Sequence, residues 1–408
     1  MKYSIDRVLL TATLCSLMML TASCSKKENE KESLSRNEME SVLETERAET
    51  STSDQNEAEV DNRLSWKFDT EGKVVSSPII SGDVIYFGSN DGNFYAVNKD
   101  TGVEVWRYTL GFPILCQPTL QDDKVFFSGK DVFVAVDAKT GNELWLSNQQ
   151  DKSDEIRRKD QWDYHDATPV IDNGVVYFGS FSGIVFGFDA NTGDMVWEFD
   201  ASKGNPVRTT PIIVDGIMYY GDWKGSYRAV DMEKKEILWQ NEFIAPFQSA
   251  TVIKDDVLLV GGRDTRVSAI DCTSGDIKWE LKDSFGSWIT GDPVIDGDTV
   301  YFSTSDAKKV YAINVKDGSV AAEYPIYKNS FTKVIIDNGR LYVTSGDAYS
   351  TPGTGKIQVY SLGDPSKTIE EFSLATGGIF TNPVINGNAI YFGSMDNSMY
   401  AVKLDSLQ

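Results

Sequence analysis

The sequence predicts an all-β protein, an eight-bladed β-propeller of four-stranded antiparallel blades. Three observations carry that prediction. A unit of four short strands recurs along the chain at about 40 residues, the period of propeller blades. Each unit alternates apolar and polar residues between tight Gly/Asp/Asn turns, as an antiparallel meander requires. The final unit stops after three strands, whereas "RLSWKFDTEG", residues 63–72, offers one strand with no sheet of its own. Pairing the two closes the ring and removes an exposed sheet edge.

The first 62 residues precede this architecture. "MKYSIDRVLLTATLCSLMMLTASCS" carries Lys2 and Arg7, an apolar run from Val8 to Leu20, then small residues before Cys24. That is a secretory signal, and its apolar run is short for a membrane span. Small residues followed by Cys resemble a bacterial lipobox. The expectation is a signal peptide over 1–23 and a lipidated Cys24. Residues 24–61 are rich in acids and poor in large apolar side chains, so they read as a flexible acidic tether. The charged start "SKKENEKE" resembles signals that send some lipoproteins to the outer face of the outer membrane.

The units follow in order over 62–408. "VVSSPIISGDVIYFGSNDGNFYAVNKDTGVEVWRY" is blade one, with four strands joined by "GD", "NDG" and "KDTG". Blades two to five repeat it and, like blade one, carry a Trp in the fourth strand. Blade six ends in "VAAEY" without Trp, and blade seven is divergent, with a longer central loop. Blade eight, "FTNPVINGNAIYFGSMDNSMYAVKLDSLQ", lacks its fourth strand, and Leu64–Phe68 matches it. Trp66, Trp106, Trp145, Trp197, Trp239 and Trp279 occupy equivalent positions, so they are expected to dock one blade on the next rather than bind a ligand.

The stretch "DAKTGNELW", Asp137 to Trp145, closely resembles the repeat of the PQQ-type β-propellers. That superfamily includes quinoprotein alcohol dehydrogenases and the BamB subunits of the outer-membrane β-barrel assembly machine. The resemblance covers about Asn62 to Gln408. It is specific for fold and weak for function, because its residues serve packing and turns.

A ring of this kind places the first strand of each blade on an axial channel. The residues beside the recurrent Pro would then line it: Ser77, Gln117, Thr168, Thr210, Ala250, Asp292, Lys333 and Asn382. The dehydrogenase resemblance implies a quinone, a calcium site with carboxylates, a catalytic Asp and adjacent cysteines. This sequence has no adjacent Cys pair and a single His. Asp292 and Lys333 are the only charges in the expected ring, where they would solvate the channel or pair with each other. No catalytic residue, cofactor or metal is assigned. "STPGTGKI", Ser350 to Ile357, imitates a phosphate loop but joins two strands, so it reads as a surface loop. Single Asp–Gly turns lack calcium-loop spacing.

Hairpin topology sorts the loops onto two faces. One carries short, repetitive turns; the other carries the blade-to-blade connections and middle hairpin loops, which vary. Binding on repeat scaffolds sits where units differ. The variable face should carry Trp162, Tyr164 and His165 of the long insert Ser147–Asp166, with Trp223, Arg263, Arg266, Phe285, Trp288 and Tyr349. Aromatic and Arg residues dominate interfaces. These same residues could instead cap the channel mouth, and His165, with no nucleophile or metal partner nearby in sequence, reads as a loop or core hydrogen-bonding residue. With a net charge of −22, a nucleic-acid partner is excluded. The expectation is a monomeric, non-catalytic envelope lipoprotein that touches the membrane only through its lipid. It would offer this face to a protein or peptide, broadly like BamB. A surface ligand- or glycan-binding propeller is the alternative, and a quinone-dependent dehydrogenase comes third.

Overall fold

The inner strands of a blade are buried at successive positions and so on both faces, and the chain achieves this by stacking blades. The computed structural model describes residues 63–150, 165–349 and 353–404. The signal, Cys24 and tether expectations, together with Trp162 and Tyr164, lie outside these residues. Among the described residues the chain forms eight four-stranded antiparallel sheets. Blade one comprises Ile79–Ser81, Val84–Gly88, Asn93–Asn98 and Glu104–Thr109. Blades two to seven span 119–148, 170–200, 212–242, 252–282, 294–325 and 335–375. Blade eight contributes Val384–Asn386, Ala389–Ser394 and Ser398–Lys403, and Leu64–Asp69 pairs antiparallel with the last of these. The ring therefore closes between the two ends of the described chain. In blade seven the strand Gly355–Ser361 absorbs the second half of "STPGTGKI".

The buried clusters lie between blades, not within them. One joins Phe94 and Trp106 of blade one to Phe127, Val134 and Ala138 of blade two. Another joins Trp66 and Met399 of blade eight to Ile85 and Phe87 of blade one.

The recurrent Trp makes each junction. Its indole N–H donates to a carbonyl of the following blade: Trp66 to Lys99, Trp106 to Ala138, Trp145 to Ala190, Trp197 to Met232, Trp239 to Cys272 and Trp279 to Val315, all between 2.7 and 3.2 Å. The residue opposite each Trp on the adjacent strand is Ala or Gly, and the register slips next to each pair. A bulge raises local twist, and the small partner leaves the ring room. Blade six carries Ala322 at this place, paired with Ala312. There Tyr324, fully buried two residues on, accepts the Gly363 N–H of blade seven at 2.8 Å.

The D-x-x-TG motif is the other half of the junction. Asp137 Oδ1 accepts the N–H groups of Lys139 and Thr140 and the Thr140 hydroxyl, and these bonds hold its carboxyl below the usual range. Asp189 and Asp271 repeat the turn, Asp271 being lowered to about 2. Gly141 then turns with φ +71° directly under Trp106, where a β-carbon would lie 2.6 Å from the ring. Gly102, Gly193, Gly275 and Gly318 sit equally close to the Trp of the preceding blade.

Candidate binding face and central cavity

Three successive residues at the start of each blade build the channel, and each position has its own chemistry. The first of the three, two residues before the channel ring, runs Val75, Leu115, Asp166, Arg208, Gln248, Thr290, Phe331, Phe380 around blades one to eight. It is divided. Blades seven, eight, one and two supply the apolar cluster of Phe331, Phe380, Val75 and Leu115, with Phe331 edge-on to Phe380 at 5.1 Å. Blades three to six supply polar groups, and Arg208 donates to Asp166 at 3.1 Å. Arg208, Gln248 and Thr290 are as buried as the apolar arc. His165 reaches across it: Nε2 bonds the Phe331 carbonyl, half-way round the ring, at 3.2 Å. Burial holds the imidazole below its ordinary pKa, while Asp292 and Asp166 pull it back up.

The middle position is mostly a hydroxyl that ties the strand to its neighbour. Ser76, Thr209 and Thr381 each accept a glycine N–H from the second strand. Blade six has Gly291, and Ser303 of its second strand fills the vacated space, donating to Thr332 O at 2.6 Å.

The third position is the expected channel ring. Side chains accept the backbone N–H of the preceding blade's ring residue: Thr210 from Thr168, Asp292 from Ala250, Asn382 from Lys333, and Ser77 from Asn382, at 2.7–3.1 Å. Polarity there serves backbone satisfaction. Gln117, Thr168, Thr210, Ala250, Asp292 and Lys333 line a cavity of about 520 Å³ with residues of the first strands of blades one and two. Ser77 and Asn382 are buried in the ring. Asp292 is not paired with Lys333; its second oxygen accepts Asn382 Nδ2 at 2.8 Å.

The variable face carries a ladder of arginines and aromatic rings. The Arg208 guanidinium lies 5.5 Å from the Phe181 ring and 4.7 Å from Trp223. Arg263 lies 4.6 Å from Trp223 and 4.3 Å from Trp288. Arg263 is only 7 % exposed and donates twice to Gln248 Oε1. Phe181 is fixed by its N–H to Asp131 Oδ1 at 2.8 Å, and burial pushes that carboxyl up to about 6. Sequence reasoning missed Arg208 and Phe181. The signal was present: Arg208 aligns with Phe331 two residues before the ring, and Phe181 aligns with Trp223 in the middle loops.

The remaining expected residues separate by exposure. Phe285 is 70 % and Tyr349 66 % exposed, and Ile244, which sequence reasoning passed over, is 84 % exposed. Ile244 and Phe285 sit on the connections leaving blades four and five, and Tyr349 sits on the middle loop of blade seven with its hydroxyl on Asp306 at 2.6 Å. Arg266 lies on a strand of blade five beside Asp264.

The donor set does not fit a calcium-held quinone. Asp292 is the one carboxylate in the cavity wall, where calcium takes about six to eight oxygen ligands, and Cys116 and Cys272 are buried in different blades. Among the described residues no group of three or more Asp, Glu, His or Cys side chains is placed to hold a metal.

Comparison with known proteins agrees with this architecture. The chain is 26% identical over 158 residues to the outer membrane protein assembly factor BamB of Shewanella oneidensis, covering 36% of this chain and 39% of that protein. It is 23% identical over 303 residues to BamB of Burkholderia pseudomallei, covering 69% of this chain and 66% of that protein. A lupanine 17-hydroxylase of a Pseudomonas species is 27% identical over 179 residues, 38% of this chain but only 25% of the hydroxylase. The match thus spans well under half of the first and third of these relatives. The crystal structure of BamB from Moraxella catarrhalis superposes with a TM-score of 0.57 at 19% identity, over 83% of this chain and 88% of that one. A quinohemoprotein alcohol dehydrogenase from Comamonas testosteroni gives 0.64 at 13%, over 85% and 77%. At such identities the structures speak for the fold alone. The model of the family described as outer membrane protein assembly factor BamB matches residues 56–186 and 182–406, and the chain belongs to that family.

Proposed function

We propose that this protein is a non-catalytic scaffold of the cell envelope, anchored through Cys24, whose variable face receives a protein or peptide partner in the manner of BamB. One observation carries the reading. Ile244, Phe285 and Tyr349 stand exposed on one face of blades four to seven, beside a rigid base of Trp223, Arg263 and Trp288. Exposed apolar anchors on a rigid support are what an interface core needs. The glycan alternative is weaker, because a sugar stacks on a free ring and Trp223 already has two guanidinium groups against it. Quinone-dependent catalysis is disfavoured by a cavity wall with a single carboxylate.

The test is binding of the full chain to purified components of the β-barrel assembly machine. Ile244→Ser with Phe285→Ser should weaken binding at least about tenfold, the scale expected for losing two anchors. Val103→Ser, on the blade-one turn away from this face, should not. No binding by the unaltered chain, or equal loss from both variants, would remove the scaffold reading.

A further inference from the structure

The cavity has a property that the scaffold reading does not use: it is a cup. Beneath it, two residues earlier in each blade, lies the buried ring in which His165 bonds the Phe331 carbonyl over the Val75–Leu115–Phe331–Phe380 cluster. Its mouth opens on the opposite face, where the wall includes first-strand residues such as Leu120. A volume of about 520 Å³ is in the range of small-molecule sites.

Four of the eight steps carry the ring's side-chain hydrogen bond; of the four that do not, two bracket the Asp292 bond. Where Thr210 should donate its N–H to the next ring residue it meets Ala250, which has no acceptor. Where Asp292 should donate its N–H it meets Lys333, which is a donor itself. Among the described residues neither N–H has an acceptor. Lys333 lines the cup, and its ammonium makes no ion pair with a described residue. Lys333, in the next blade, and the Asp292 N–H are therefore donors in one wall that have no acceptor among the described residues and are open to one anionic group. The Asp292 carboxylate is the converse. Each oxygen accepts one protein hydrogen bond, from Ala250 N–H and from Asn382 Nδ2, and each has a further lone pair. By reaching Asn382, two blades away, it stands in the lumen and offers those lone pairs to a cation. Across the cup, Gln117, Thr168 and Thr210 are neutral hydrogen-bonding groups, and Leu120 gives the mouth an apolar lip.

We propose that this cup binds a small zwitterion of amino-acid to dipeptide size, its carboxylate on Lys333 and the Asp292 N–H, its ammonium on the Asp292 carboxylate, and an apolar side chain toward Leu120. A lone anion would face Asp292 unscreened, and a lone cation would face Lys333. Only a ligand with both charges satisfies the pair.

The test is calorimetric titration of the full chain with leucine and with alanyl-leucine. Leucinamide, which has only the cation, and 4-methylpentanoate, which has only the anion, serve as probes of each half. Both zwitterions should bind, and both single-charge analogues should bind at least about tenfold more weakly. Lys333→Met should reduce zwitterion affinity by a similar factor and abolish the preference for leucine over leucinamide, while leaving the thermal unfolding midpoint of the unliganded chain unchanged. Asp292→Asn keeps an acceptor for Ala250 N–H and should lose the preference over 4-methylpentanoate. The proposal is overturned by no heat from either zwitterion at ~10 mM, where even a millimolar complex would register. It is equally overturned by analogues that bind as well as leucine, or by unchanged affinity in a folded Lys333→Met variant.

Discussion

Trp66 donates its indole N–H to the carbonyl of Lys99 at 2.7 Å, which joins the N-terminal strand of blade eight to blade one. The same bond is made by five other Trp residues between blades that are consecutive in sequence. Here it is made between the two ends of the described propeller, so it holds the ring shut. Trp66 is only 8 % exposed and packs with Ile85, Phe87 and Met399. Trp66→Ala should therefore cost about 3–5 kcal/mol, the range for truncating a large buried aromatic. Trp239→Ala, at a less buried junction inside the chain, should cost less. Urea unfolding of the two variants checks the order; a smaller loss at Trp66 would mean that closure contributes little.

Gly141 separates two causes of glycine preference. Its φ of +71° disfavours any side chain, and a β-carbon would meet the Trp106 ring at 2.6 Å. Gly174 shares the positive φ, at +78°, but has nothing within 4 Å. Gly174→Ala should cost about 1–2 kcal/mol from backbone conformation alone. Gly141→Ala should cost a further ~1–3 kcal/mol from overpacking. Equal losses in thermal or urea unfolding would show that the Trp106 contact yields freely.

These junctions were legible in the sequence because the same contact is made many times. A Trp that recurs with a TG turn points to a repeated solution, and the missing fourth strand of blade eight identified its own partner. The bulge and the small residue opposite each Trp were also written there, as the Ala96, Ala135, Ala229 and Ala269 column, but read only as strand. The variable face was less legible for the opposite reason. Arg208 meets Trp223, and Arg263 meets Trp288, through contacts made once. Sequence suggested Arg263 as a loop residue, and folding buries it between two rings. The Asp292–Asn382 bond skips a blade, and neighbour-to-neighbour reasoning had left Asp292 either to solvate the channel or to pair with Lys333.

Arg263 tests whether the ladder is a support. Its guanidinium reaches Trp223 and Trp288 and donates twice to Gln248. Lys keeps the charge but loses the planar fork that both stacks and bonds. Arg263→Lys should destabilise by about 1–2 kcal/mol, from weakened cation–π contacts and an incompletely bonded amide. It should also change the Trp emission of the folded state. Phe285→Ser, at an exposed residue of the same face, should leave stability within about 0.5 kcal/mol. A stable Arg263→Lys variant with unaltered emission would mean that the rings hold their places without the guanidinium.

The turn carboxylates set an acid limit that can be removed at one site. Asp271 accepts the N–H groups of Thr273 and Ser274 and pairs with Lys278, and its pKa falls to about 2. The unfolded chain binds this proton at ~3.9. The group therefore adds stability that is complete above about pH 4 and is lost as pH falls through about 2. Blade one shows how to keep the turn without the charge: Asn98 Oδ1 accepts the N–H groups of Asp100 and Thr101. Asp271→Asn should thus retain the turn while removing its share of the pH dependence, so that the unfolding midpoint falls less steeply between pH ~4 and ~2 than in the unaltered chain. Asp271→Ala, which loses the cap, should lower the midpoint at neutral pH as well. Parallel acid profiles for the unaltered chain and Asp271→Asn would mean that the unfolded state keeps the turn, and its bonded carboxylate, intact.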